Sequence, residues 1–440
     1  MPARLKLNVF SPLPPLRSDI ANHTTYVLRP LGRMADVTVW TSQEEWSPLE
    51  AEGVRVRRYR PDAPPWSELN DAAATFFNIG NNTGLHADIF RVAGILPGVA
   101  ILHDTVLQHF FAGLALHHGW RSGYLAAMRR HHGAAGLEQG ERLLAGEVGA
   151  GDLAARFPLT LAAAERATAV VCHTPDGARA LEARTRLPVY HLDLSLDLAG
   201  VEEPPAAKAH EGPRRLVLFG FLGFNRRLPS LLRALAEMPE RDAFRVDVYG
   251  QMDDEQETRR FIASLGIGHL VKTHGFVPKA ELNSAIARAH LALNLRYPTM
   301  GEASGSQLRV WAHGVPSLVT RTGWYATLPE DAVFFVDPED EIEGIKRHLA
   351  RLLARPEAYA AAGRRGRGIV VARHSPQRYA EGLLEIARQA PMQHGRRVAV
   401  DLARTSSRLL ASMVGMEGLQ RAAPGVAQEI ALLTSPSRDD

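Results

Sequence analysis

HLALNLRYPTMGEASGSQLRVWAHG spans residues 290–314. Its opening apolar run, HLALNL, reads as a buried strand, and QLRVWAHG reads as a helix that stops at Gly314. Between them Pro298, Gly301, Ser304, Gly305 and Ser306 supply turn chemistry. Strand, small-residue loop and helix together make an anion-binding turn, because the first amides of a helix lack partners and its dipole favours negative charge. Glu302 stands in the middle of that turn. A carboxylate there needs a partner other than the anion.

The same alternation extends outward in both directions. RLVLFG, FRVDVYG and LVKTHG precede the stretch as strands, and PSLVT and AVFFV follow it. LPSLLRALAEM, DDEQETRRFIASLG and PKAELNSAIARA lie between as helices. In the first half LKLNVF, VTVW, TFFNIG, VAILHD and AVVCHT read as strands, with helices such as HADIFRVAGI, TVLQHFFAGLAL and PDGARALEAR between them. Strands alternating with helices imply parallel sheets wrapped by helices, an α/β class.

SLDLAGVEEPPAAKAHEGPRR, from Ser195 to Arg215, breaks the pattern with Pro, Ala, Gly and charge and reads as a linker. The expected division is a first domain over 1–196, a linker over 197–213 and a second domain over 214–372. Two such domains usually hold ligand in the cleft between them, at the C-terminal strand edges. Beyond Arg373 the chain reads as helical. Ser375 and Pro376 are a good N-cap and first helical residue for SPQRYAEGLLEIARQ, over 373–390. The 391–440 tail, RRVAVDLARTSSRLLASMVGMEGL and onward, is amphipathic; it either packs on the protein's own surface or rests a basic face on anionic lipid.

Composition narrows the class. The chain has 440 residues, 45% apolar and 22% charged, with a formal net charge of +3. That balance argues against a dedicated nucleic-acid binder. One cysteine, Cys172, excludes an internal disulfide and cysteine zinc clusters and points to a reducing compartment. The N-terminal MPARLKLNVFSPLPP is too polar and broken for a signal peptide, and no apolar stretch reaches bilayer length. A cytoplasmic protein is expected, with any membrane contact peripheral.

The chemistry-bearing residues fall at strand ends. Ser18 and Asp19 follow the first strand; they read as ligand contacts or as helix caps. Asn81 and Asn82 follow TFFNIG, and His103 and Asp104 follow VAIL, where Asp104 reads alternatively as the cap of a helix starting at Thr105 or Val106. His173 and Thr174 repeat the arrangement before a Pro-initiated helix. After Gly220 and Gly223, Arg226 and Arg227 sit at a helix entrance, where cations oppose the dipole unless an anion joins them. His117–His118 and His131–His132 are adjacent pairs that diverge on a helix and read as solvated surface rather than metal ligands. GxGxxG, Walker, GxSxG and HExxH motifs are all missing.

Taken in order, SPLPPLRSDIA, NIGNNTGLHADIFRVA, GVAILHD, FGFLGFNRRLPSLLRAL, HGFVPKAEL, LNLRYPTMGEASGSQLR and GVPSLVTRTGWYATLP resemble bacterial glycosyltransferases of family 4, over roughly Leu5 to Gln389. The resemblance implies a GT-B fold: two Rossmann-like domains facing a central cleft, with C-terminal helices, of which 373–390 crosses back to the first domain. It implies a retaining enzyme that moves a sugar from a UDP- or GDP-sugar to a hydroxyl of a glycan, lipid-linked glycan or small glycoside, as in polysaccharide biosynthesis. No cofactor and no metal ion are expected. By the resemblance, Arg226 corresponds to the phosphate-binding lysine and Glu302 to the glutamate that opens a two-glutamate motif and meets donor-sugar hydroxyls. His103 corresponds to the histidine that reaches the sugar from the first domain. The donor site would draw on Gly223, Asn225, Arg226, Thr299, Gly301, Glu302, Ala303, Ser304, Gly305, Ser306 and Arg309. The acceptor side would draw on Ser18, Asp19, Asn81, Asn82, His103, Asp104 and His173.

Three positions depart from the family pattern. Phe221 stands where a second basic residue is common, Asp19 where glycine is common, and Arg309 where a second glutamate holds ribose. Arginine has no acceptor for ribose hydroxyls. These departures leave open a non-catalytic nucleotide-sugar-binding scaffold, and a nucleotide-sugar epimerase of the same fold.

Overall fold

The computed structural model describes residues 4–202 and 212–434. The chain divides into two compact units. One comprises 1–172, 180–190 and 380–440, and the other comprises 173–179 and 191–379.

The first unit is built on a seven-stranded sheet. Its strands are β1 (Lys6–Phe10), β2 (Asp36–Thr41), β3 (Val54–Arg58), β4 (Ala74–Ile79), β5 (Val99–Leu102), β6 (Ala169–Cys172) and β7 (Val189–His191). They lie in the order β3-β2-β1-β4-β5-β6-β7. The paired strands run parallel, with Phe10 opposite Trp40 and Phe77, and Leu102 opposite Cys172. The second unit has six strands: β8 (Arg214–Phe219), β9 (Phe244–Tyr249), β10 (Val271–Gly275), β11 (Leu291–Asn294), β12 (Ser317–Thr320) and β13 (Phe334–Val336). Their order is β10-β9-β8-β11-β12-β13, again parallel. In each sheet the order reverses between the first and fourth strands, so β1/β4 and β8/β11 are the switch points where such folds bind ligand.

The continuous apolar strands are explained by burial on both faces. Leu216 and Leu218 of β8 pack with Leu231 and Leu235 of the helix Leu228–Glu237. Val217 and Phe219, pointing the other way, pack with Ala285, Ile286 and Val310. The helix Leu228–Glu237 buries Leu228, Leu231, Leu232 and Leu235, a helical period along one face. Two strands escaped the sequence reading. β3 is VRVRR, with little buried, and β7 is three half-buried residues. Neither forms an apolar run, because each lies at a sheet edge.

At the C-terminal ends of β8, β9 and β10 stand Gly220, Gly250 and Gly275, all at positive φ. A Cβ on Gly250 would lie 1.9 Å from the Gly220 carbonyl oxygen, so the two turns need glycine to lie this close.

The expected linker is only partly a linker. Residues 203–211 lie outside the described residues, but Leu196 bonds its amide to the His374 carbonyl at 2.8 Å and packs with Trp311, Tyr325 and Val370. The helix Pro376–Thr434 starts in the second unit and continues in the first, and the Ser375 hydroxyl caps it by accepting from the Arg378 amide. Gly415, at φ 68°, interrupts it. The last six residues of the expected tail also lie outside the described residues. Among the described residues, no helix is long and apolar enough to cross a membrane.

Candidate functional site

In the second unit the chain leaves β8 through Gly220 and turns through a short 3-10 segment, Phe224–Arg226. This turn buries Arg226. Its Nη1 donates to Asn294 Oδ1 at 2.9 Å. A Cβ on Gly220 would lie 3.1 Å from Arg226 Nη2 and 3.7 Å from Ser306 Oγ, so the guanidinium passes under the glycine beside the start of the next helix.

Asn294 ends β11 and is the hub. Its Nδ2 donates to Gln307 Oε1 at 3.1 Å and Ser304 Oγ at 3.3 Å, and Gln307 Nε2 donates to Ser317 Oγ at 2.7 Å. All five side chains are buried. These linked bonds between buried side chains restrict the network's arrangement and fix where the Arg226 charge sits.

The helix Gly305–Ala312 has Ser304 as N-cap, its hydroxyl accepting from the Gln307 amide at 3.1 Å. The Gly305 and Ser306 amides have no partner within the helix. Asn225 ties the two loops together, its carbonyl accepting from the Tyr297 amide at 2.8 Å. Thr299 packs on the following loop, where a Cβ on Gly323 would come within 2.8 Å of it. Ala303 packs into the core beneath, and Gly223 leads into the turn.

Glu302 has its partners within the chain. Its Oε2 accepts from the Met300 amide at 2.8 Å and from Thr299 Oγ1 at 3.2 Å, and its Oε1 lies 3.1 Å from Arg296 Nε in a mostly buried ion pair. Thr299 Oγ1 in turn accepts from Gly301, which is at φ 74°. The carboxylate folds its own loop. Arg309, one turn into the helix, is half-buried and no carboxylate pairs with it among the described residues. Arg227 is spent structurally: at φ 57° it meets buried Glu341 through Nε and Nη2 at 2.8–3.1 Å. Phe221 and Phe224 are exposed beside this edge, so the departure at Phe221 leaves an aromatic face where a cation was expected.

The first unit repeats the plan with different groups. Asn78, in β4, donates through Nδ2 to the Phe10 carbonyl at 3.1 Å, so its Oδ1 faces His103 Nε2 at 2.8 Å. Nε2 is therefore the donor, and the lone pair of the neutral ring is on Nδ1. His23 meets the His103 ring edge to face at 5.7 Å. His86 binds the Asn78 carbonyl through Nδ1 at 3.0 Å, and burial pushes it down to about 4.

Asp104 does not cap a helix. Its Oδ2 accepts from the Asn81 amide at 2.8 Å, and the next helix, Gln108–His117, starts later. Asn81 Oδ1 accepts from the Phe110 amide at 3.0 Å. Asn82 is the N-cap residue of Thr83–Ala93 but makes no side-chain capping bond, and the same holds for Ser18 before Asp19–Met34. The capping reading of Ser18 is therefore not what its side chain does. Ile20 from that helix reaches Gly80. His173 belongs with the second unit; it is buried, bonds the Leu192 carbonyl at 3.0 Å, and is pushed down to about 4 by burial.

The histidine pairs split. His117 and His118 are exposed. His131 is not solvated surface: it binds Glu165 at 2.8 Å, while His132 packs edge-on against Phe157. The two rings diverge to different partners, as adjacent residues on a helix do.

The hubs Asn78 and Asn294 were missed from sequence. Each was visible as an asparagine inside an otherwise apolar strand, TFFNI and LALN, where a polar amide has to be paired. His23 gave no such signal.

Residues 226–385 match a family model described as glycosyl transferase-like. The match covers little more than a third of the chain and lies almost wholly within the second unit. No curated protein sequence matches the chain. Among solved structures, it is similar to a sucrose-phosphate synthase from Thermosynechococcus elongatus at 14% identity and a TM-score of 0.61, covering 88% of this chain and 99% of that one. HepE of Anabaena, solved in complex with UDP-glucose, gives 13% identity and a TM-score of 0.60 over 88% of this chain and 100% of that one. WaaG, a glycosyltransferase involved in lipopolysaccharide biosynthesis, gives 15% and 0.52 over 86% and 98%. The chain has the fold of these GT-B glycosyltransferases.

Proposed function

We propose that the chain is a retaining glycosyltransferase of the family 4 type, moving a sugar from a UDP- or GDP-sugar to a hydroxyl of a glycan, lipid-linked glycan or small glycoside. The observation that carries this reading is the buried Arg226, held by Asn294 under Gly220 and beside Ser306, at the switch point of the second sheet. As the glycosidic bond breaks, negative charge grows on the departing diphosphate. A fixed guanidinium and the Gly305 and Ser306 amides would stabilise it in a site that needs no reorganisation. The glycosyl transferase-like match begins at Arg226, and HepE binds UDP-glucose on the same fold.

His103, with Nε2 held by Asn78, would present its other edge to the donor sugar. Ser18, Asp19, Asn81 and Asp104 would shape the acceptor side. The Glu302 carboxylate would exchange part of its bonding to Arg296 and the loop amide for sugar hydroxyls. Arg309 would donate to ribose oxygens or to phosphate. Charge stabilisation through Arg226 calls for no metal ion, so turnover is expected to persist in a chelator.

The engagement of Glu302 within its own loop favours a second reading, a scaffold that binds nucleotide sugar without turning it over. Nucleoside diphosphate release over a panel of UDP- and GDP-sugars, with and without glycoside acceptors, separates the two. Release that depends on an acceptor supports the enzyme. Saturable donor binding with no release from any donor supports the scaffold, and release without an acceptor points to an epimerase.

A further inference from the structure

The segment HHGWRSGYLAAMRRHHG, residues 117–133, contributes nothing to the site above, yet it lines a cavity of about 640 Å³ in the first unit. That is the size of a small-molecule site. Its wall is aromatic: Trp120 lies 5.8 Å from Phe90 and 5.7 Å from Phe111, and Leu114 and Ala127 line the floor. Gly123 makes room for the indole, since a Cβ there would lie 2.1 Å from Trp120 Cε2.

Topology places this cavity away from the chemistry. The helix Thr83–Ala93 runs from the C-terminal end of β4 to the start of β5, and its last turn, with Phe90 and Arg91, lines the cavity. The turn Thr160–Ala164, which also lines it, precedes β6. The cavity therefore lies toward the N-terminal edge of the sheet, whereas His103 and Asp104 stand at the C-terminal edge.

The rim is cationic. Arg91, Arg130 and Arg166 line it, and Glu165 is the one carboxylate among the described lining residues. Glu165 is occupied by Arg130 and His131. Burial alone would raise its carboxyl, but the bond to His131 and the Arg130 charge outweigh that and hold it below the usual range. Arg166 lies 3.6 Å from Asp401 of the C-terminal helix. Arg91 has no ion-pair partner among the described residues. The Arg91 charge also acts on Asp62 and Tyr59, but an apolar chamber with a guanidinium outside any ion pair at its mouth fits a ligand with an apolar chain and a single negative charge. Ile95 on the rim is exposed at 56%. On the helix that Asp401 anchors to this rim, Leu402, Leu409 and Met413 are exposed at helical spacing, with Arg404 and Arg408 also exposed. At 100° per residue the three apolar side chains share one face and the two arginines lie on the opposite one, and an apolar face backed by a cationic polar face is the pattern of a helix that lies on a bilayer surface.

We propose that this cavity receives an acyl chain of an anionic phospholipid, with Arg91 at the phosphate, and so seats the first unit on a membrane surface. The site is independent of the proposed catalysis. The full chain is mixed with vesicles of phosphatidylglycerol or of phosphatidylcholine and sedimented, and tryptophan quenching by brominated phosphatidylglycerol is read in parallel. Binding is expected to phosphatidylglycerol over phosphatidylcholine, with quenching that Trp120→Phe largely removes. Arg91→Glu is expected to lower partitioning roughly tenfold or more, from a charge reversal at an anionic surface. Ala126→Phe, at an exposed lining position, is expected to lower both binding and quenching while the thermal melt is retained. Equal binding to both lipids, or binding that ignores Arg91→Glu and Ala126→Phe, overturns the proposal. So does stabilisation by inorganic phosphate without vesicle binding, which would make the ligand a free anion. Concentration-dependent dimerisation that Ala126→Phe abolishes, without vesicle binding, would assign the cavity to a second copy.

Discussion

Two asparagines on corresponding strands of the two units do the same job for different groups. Asn78 lies in β4 and Asn294 in β11, each the fourth strand of its sheet and each beside the first. Each uses its amide nitrogen on a neighbouring oxygen, which turns its Oδ1 toward the functional side chain. Asn78 thereby holds a histidine and Asn294 an arginine. The comparison teaches that the switch point supplies a position and the loops supply the chemistry. Under the proposed function the imidazole would meet sugar hydroxyls and the permanent cation a departing diphosphate.

The largest test of that contrast is Arg226→Ala. Turnover is expected to fall by roughly two to three orders of magnitude, the scale seen when a transition-state charge stabiliser is removed. Steady-state kinetics with the donor found by the panel checks it, and unchanged turnover would remove Arg226 from the mechanism.

Next in size is acid sensitivity, which the two units share through His86 and His173. Both are pushed down to about 4 by burial. Above the ordinary histidine value neither state binds the proton, so stability is level. As pH falls from about 6.5 toward 4 the unfolded chain takes up protons that the fold refuses, and stability drops by up to about 1.4 kcal/mol per pH unit for each ring. Urea melts between pH 7 and 5, before most carboxylates titrate, are expected to show this slope, and His86→Gln to lessen it. A flat profile in the parent would show that these rings are hydrated.

Asn78→Ala and Asn294→Ala probe the hubs directly. Each leaves buried groups short of a bond and is expected to cost about 1–3 kcal/mol. Beyond that shared loss, Asn294→Ala should lower kcat with little change in its pH profile, whereas Asn78→Ala should shift the profile by freeing the His103 tautomer. Indistinguishable profiles would mean that Asn78 is only a structural residue. The smallest effect is expected from Ser304→Ala, which removes one helix cap at about 1 kcal/mol and loosens the Gly305 and Ser306 amides. Thermal melting with and without UDP checks it. A loss that UDP does not enlarge would separate the cap from anion binding.

The sheets were legible because period and burial are local properties. RLVLF and TFFNI announce strands buried on both faces, and LPSLLRAL announces the helix that covers one of them. The edge strands β3 and β7 were not, since a strand that buries little carries little apolar signal. The strand end, turn and capped helix start around Ser304–Ser306 were readable for the same local reason, as was the Ser375 cap.

What side chains do at long range was not. Asp104 reaches back to Asn81, and Arg227 turns to Glu341, far along the chain. Two adjacent arginines looked alike in FNRRLP, yet the positive φ of Arg227 sends one to a carboxylate while the 3-10 turn buries the other under Gly220. Glu302 stood out in sequence as a carboxylate facing an anion site; only the folded loop supplied Arg296 and the Met300 amide as its partners. The sequence alone determined which residues could form strands, turns and helix starts, because those choices depend on neighbours a few positions away. The tertiary structure decided which charges meet, because hydrogen bonds and ion pairs depend on distances set by strand order.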